Sequence, residues 1–130
     1  MSYTILLRSP PCSSCGRFDQ YADWTPTANL GPIFDLAFAA ASIPRSRRPA
    51  YVVRRSRHVE GLYRLHGRAA RETCVDLESA VARLTDERLN EQFIAREPAN
   101  RWGTRRDALD VLRRMQGAAT AHPDGVWDIR

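Results

Sequence analysis

Lysine is absent: all 20 basic residues of this 130-residue chain are Arg. Two readings fit that absence. One is a use of guanidinium groups for bidentate contacts; the other is a codon bias toward Arg, since Ala is also abundant. No apolar run approaches the ~18 residues of a membrane span. The opening MSYTILLRSPP has no basic stretch before its short apolar run and no A-x-A site, so no secretory signal is expected. Nucleotide-binding patterns of the G-x-x-x-x-G-K-[ST] and G-x-G-x-x-G types are missing. So is the G-x-S-x-G nucleophile context, and no spacing pairs two carboxylates for acid–base work. These absences leave no reaction to name and favour binding over catalysis. Internal repeats and low-complexity tails are also lacking.

What is present is ordinary for a globular domain: 43% apolar and 27% charged residues. The length suits one domain with a core that needs no metal or disulfide staple. The formal net charge of +5 is unevenly spread. Between Leu36 and Val59 there is no Asp or Glu, yet Arg45, Arg47, Arg48, Arg54, Arg55 and Arg57 all fall there. The rest of the chain holds 14 Arg against 15 acids. Six guanidinium groups with Tyr51 among them can grip a phosphate backbone and stack on a base. If all six engaged duplex DNA, log K would fall with log salt at a slope of about −5. The same row can meet an acidic protein surface, or be a solvated loop with no partner. No helix-turn-helix, zinc-finger, RRM or KH pattern selects nucleic acid.

Hydrophobic spacing predicts the elements. Tyr3 to Leu7 alternates as a strand, ended by Pro10-Pro11. Residues 11–28 read as loop. A helix is expected from about Leu30 to Ala41, apolar nearly all round and therefore deeply buried. A second helix is expected over Arg68 to Leu84, with Ala70, Cys74, Leu77, Val81 and Leu84 on its buried stripe. A shorter one should run from Thr85-Asp86 through Leu89, Phe93 and Ile94 to Pro98. Thr104 with Asp107 resembles a capping box opening a third long helix, buried through Ala108, Val111, Leu112, Met115 and Ala119. Val126 to Ile129 should be a last strand, paired with the first. A third strand is expected from residues 50–55 or 62–65, because two strands alone are marginal. The expected architecture is a single α+β domain over residues 1–130. A small antiparallel sheet from the terminal strands is packed by about three helices, and a basic loop or hairpin is inserted at about 43–60.

Cys12-Ser13-Ser14-Cys15 has C-x-x-C spacing. Two such thiolates can take two corners of a zinc tetrahedron, form a redox pair, or stand as unpaired surface thiols. No second pair of ligands follows: Cys74, His58, His66 and His122 are isolated. Cys74 is expected to pack as a small apolar residue. Trp102, before Gly103, is expected to pack the turn into the third long helix, with Asn100 bonding local backbone.

Two stretches carry a resemblance. Trp24-Thr25-Pro26-Thr27-Ala28-Asn29-Leu30-Gly31-Pro32-Ile33-Phe34 looks like an N-x-T-x-N-x-x-P-[MI]-[FW] run. Asn100-Arg101-Trp102-Gly103-Thr104, then a helix and His122-Pro123-Asp124, is similar to an N-G-W-G … H-P-D ending. Both runs belong to a family of small proteins common in bacteriophage and prophage genomes, and Leu65-His66-Gly67-Arg68 resembles its L-D-G-M segment. Asp23-Trp24, His66 and Arg101 depart from the family's Asn, Asp and Gly. The resemblance implies a mobile-element accessory protein in the cytoplasm of a host bacterium, and little chemistry. The function expected on these grounds is binding to a macromolecular target, with interference in a host defence system as one form of it. The expected partner is an acidic protein surface or nucleic acid. Direct DNA or RNA binding, and a metal- or thiol-dependent enzyme on Cys12 and Cys15, are the alternatives.

Overall fold

In the computed structural model, which describes residues 2–38 and 61–130, the sheet is organised around its first strand, β1 (Ile5–Arg8). Ile5 and Leu7 alternate into the core, both fully buried. β1 pairs antiparallel with β2 (Gln20–Trp24) on one side and β3 (Val126–Ile129) on the other. The order is β2-β1-β3. Ile5 lies opposite both Trp24 and Ile129, and a bulge falls between Leu7 and Arg8 on the β2 side. The fold class is therefore α+β, as expected, with a different third strand. β2 lies within the stretch read as loop, while residues 62–65 belong to a 3-10 turn, Gly61–Leu65. Residues 50–55 lie outside the described residues.

Four helices cover the core face among the described residues. α1 (Gly31–Ala37) has Pro32 in its first turn, where a missing N–H does no harm. Ile33, Phe34, Leu36 and Ala37 are all buried, so the helix is enclosed as its sequence predicts. α2 (Ala70–Thr85) buries Ala70, Thr73, Leu77, Ala80 and Leu84. Cys74 is exposed, contrary to the expected stripe, and Val81 is half-buried. Thr73 takes the inward place because its hydroxyl is satisfied: it donates to Ala70 O at 2.8 Å and accepts from Trp127 Nε1 at 2.9 Å. A short α3 (Asn90–Ile94) buries Phe93.

α4 (Arg105–Ala121) opens on the expected capping box. Thr104 Oγ1 accepts from Asp107 N at 3.3 Å and Asp107 Oδ2 accepts from Thr104 N at 2.8 Å. Trp102, however, is 72% exposed. Asn100 Oδ1 does accept from Trp102 N at 3.0 Å. Arg101 (φ 58°) and Gly103 (φ 106°) both have positive φ, and the ring between them faces solvent. Gly103 is what packs here: a Cβ on it would lie 3.1–3.2 Å from Leu30, Asn29 and Thr27.

Candidate functional site

The expected contact residues Arg45, Arg47, Arg48, Tyr51, Arg54, Arg55 and Arg57 lie outside the described residues, as does His58. The described residues show what brackets them. Phe38, after α1, and Gly61 are both buried. Gly61 has φ 63°, and a Cβ there would collide with the Asp35 carboxylate and lie 3.2 Å from its backbone N. Only glycine meets both conditions without strain. Arg64 Nη1 donates to Phe38 O at 3.2 Å and Arg83 Nε to Leu36 O at 3.1 Å, satisfying carbonyls at the end of α1. Asp76 holds Arg64 Nε at 3.1 Å and Arg68 Nη1 at 2.9 Å. Residues 38 and 61 are thus fixed on one side of the core. Arg64 and Arg83, which build this seat, are not singled out by the sequence.

Charge separates sharply between these parts. The described residues hold 14 Arg and 14 Asp or Glu, so the whole formal excess of +5 belongs to residues 39–60. Many of the described arginines already serve the fold. Arg105, at the edge of a shallow depression lined by Leu84, Glu97 and Leu109, donates to Leu84 O, to Asp86 O at 2.9 Å and to Asn90 Oδ1 at 2.6 Å.

A second polar cluster sits on the sheet face opposite the core. Asp128, 4% exposed, receives Arg130 Nη2 at 2.8 Å and lies 3.9 Å from Arg8 Nη1 and 3.7 Å from His66 Nδ1. His66 Nδ1 accepts the Ile129 N–H at 2.9 Å. That bond needs a lone pair, so the ring is neutral with its proton on Nε2. Burial depresses the His66 pKa below its ordinary value; Asp128 opposes, and Arg8 and Arg130 reinforce. The neutral form is therefore the one the fold prefers. Its contribution is complete above the unfolded-state value near 6.5 and is lost as pH falls through the depressed folded value. Thermal melts should show a lower Tm at pH 5 than at pH 7, and His66→Gln should reduce that difference. The ring has an edge-closing role: with Gly67 N to Trp127 O at 2.8 Å and Trp127 N to Arg68 O at 3.1 Å, it covers the outer side of β3.

Cys12 and Cys15 stand at the tip of the β1–β2 hairpin, both exposed. Its base is closed by Ser9 N to Asp19 O and Asp19 N to Ser9 Oγ, each 2.8 Å. Phe18 lies over the Arg8 guanidinium at 4.5 Å. The Cys12 thiol is pushed below its ordinary pKa by the backbone N–H of Ser14 first, then that of Cys15 and the Cys15 thiol. Among the described residues, no three His, Cys, Asp or Glu side chains gather as a metal site. His122 instead stacks on Tyr21, with ring centroids 4.1 Å apart. No helix among the described residues is long and apolar enough to cross a membrane.

Compared with family models, curated proteins and solved structures, the chain matches none of them.

Proposed function

We propose that the chain is a phage- or prophage-encoded accessory protein that binds an acidic protein surface through Arg45, Arg47, Arg48, Tyr51, Arg54, Arg55 and Arg57. One observation carries the reading: the entire charge excess lies in residues 39–60, bracketed by two fixed points on a charge-balanced body. Guanidinium groups form bidentate pairs with carboxylates, and a concentrated row of them steers association. A nucleic-acid backbone is long and rewards a basic surface that follows it. The described body holds equal numbers of Arg and acids, so the positive excess is confined to one short segment, which favours a compact acidic patch. A component of a host defence system fits the mobile-element resemblance and the lack of a recognisable active site.

Charge reversal tests the reading. Changing Arg47, Arg48, Arg54 and Arg55 to Glu should abolish a complex captured from host lysate and reconstituted with the purified partner, while leaving the thermal melt unchanged. Persistence of that complex would overturn it. A gel shift with duplex or single-stranded DNA that weakens with salt at a slope of about −5 would assign the row to phosphates instead.

A further inference from the structure

We propose that His66 is a pH-operated latch on the outer edge of the sheet, its ring standing in for a backbone acceptor beside β3 and letting go when it is protonated. β3 lies at one edge of the β2-β1-β3 order. Towards β1, Thr4 and Arg130 exchange both N–H···O bonds at 2.9 Å, and Asp128 and Val126 lie opposite Leu6 and Arg8. The alternate residues, Trp127 and Ile129, therefore turn their backbone groups to the outer side. There Trp127 finds backbone partners: its carbonyl accepts from Gly67 N at 2.8 Å and its N–H donates to Arg68 O at 3.1 Å. Two residues on, where a paired strand would place a carbonyl, Ile129 N donates at 2.9 Å to His66 Nδ1. The chain before Gly67 does not run on as a strand. His66 N and Arg68 N close turns on Tyr63 O and Leu65 O at 3.1 and 3.2 Å, and Gly67 sits between them at φ 76°. A side chain thus occupies the last rung.

A backbone carbonyl accepts at every pH. An imidazole nitrogen accepts only while it keeps its lone pair. A proton on Nδ1 would set two N–H groups against each other across 2.9 Å. Among the described residues, the charged groups facing the ring are Asp128 and Arg130 from β3 and Arg8 from β1. On its own segment, Arg64 and Arg68 are held by Asp76 of α2. Asp128 Oδ1, 3.7 Å from Nδ1, attracts a protonated ring. That carboxylate already receives Arg130 Nη2 at 2.8 Å and lies 3.9 Å from Arg8 Nη1. A charged imidazole would be a third cation around one carboxylate, and burial disfavours it further. The ring, already 18% exposed, therefore turns out to water and leaves the Ile129 N–H without its acceptor. The Trp127 rung is made of backbone groups alone and stays closed.

Amide hydrogen exchange of the full chain, followed residue by residue by NMR from pH 7 to pH 5 and corrected for the intrinsic rate, tests the latch. Opening takes up one proton, so protection at Ile129 should fall about tenfold per pH unit below the ordinary imidazole value near 6.5. The Trp127 and Arg130 amides should keep theirs. His66→Asn puts a carbonyl oxygen that does not titrate where Nδ1 stands, and should hold Ile129 protection level over the same range. In the parent, ring nitrogen shifts at pH 7 should show the proton on Nε2 and a bare, accepting Nδ1. That measurement needs no variant to fold. Ile129 protection that stays level in the parent, a loss shared by Trp127, the same loss in the Asn variant, or a proton on Nδ1 at pH 7 would each overturn the proposal.

Discussion

Replacing Trp127 by Ala should cost about 3–5 kcal/mol of folding free energy, with an accompanying fall in Tm of roughly 10 °C or more. The ring is fully buried between the sheet and α2, tilted against Trp24 with centroids 6.4 Å apart. Its Nε1 donates to Thr73 Oγ1 at 2.9 Å. Alanine leaves a large cavity and removes that donor together. Trp127→Phe separates the two effects. It keeps most of the apolar area, and Thr73 retains its own bond to Ala70 O, so its cost should be about 1–2 kcal/mol. Urea unfolding of the three proteins measures the order. Equal losses for Phe and Ala would mean that the hydrogen bond, rather than the volume, holds the sheet to α2.

Arg105→Met should cost about 2–3 kcal/mol. The guanidinium gathers Leu84 O, Asp86 O and Asn90 Oδ1 and lies 5.0 Å from the centre of the Phe93 ring. Leu84 O lies in the last turn of α2, where carbonyls have no partner within the helix, and Asp86 O, just beyond it, also accepts from Leu89 N at 3.1 Å. Methionine matches the stem and abandons all three acceptors. Arg105→Lys should restore only part of the loss, because one ammonium cannot bridge a fork of three. Hydrogen exchange should show the damage first at α3, which this side chain ties to α2. A lysine variant as stable as the parent would show that charge alone suffices there.

Helical spacing made the long elements legible, and the reason is local. The capping box at Thr104 and Asp107 and the buried row Ala108, Leu112, Met115 and Ala119 are all set within one helix. β3 was equally readable, since Val126 to Ile129 follows a Pro-Asp-Gly turn. β2 was not. Gln20–Trp24 is short and has a half-exposed pattern, and its pairing is imposed by β1 rather than by its own composition. At position 74 the apolar preference of cysteine pointed inward, yet Thr73 won through a hydroxyl bond to a tryptophan 54 residues away. Trp102 misled for a related reason: its size suggested burial, and the backbone angles of Arg101 and Gly103 decided otherwise. At the hairpin tip, Pro10-Pro11 before the C-x-x-C pair and Gly16 directly after it are the sequence signs of a loop. The seven expected contact residues lie outside the described residues, so their reading stands on charge distribution alone.

The central position of β1 also sets the order in which the protein can assemble during synthesis. β1 and β2 leave the ribosome early, but a lone two-stranded hairpin is marginal in water. Ile5 and Leu7 therefore gain their cross-strand partners Ile129 and Trp127 only after those late residues have been translated. During that interval the nascent chain offers a bare strand edge to chaperones and to other unfinished chains. Reciprocal bonds of 2.9 Å between Thr4 and Arg130 bring distant parts of the sequence together. A circular permutant that links them through a short loop would make β3 and β1 neighbours in sequence, lower the loop-closure cost and shorten the wait.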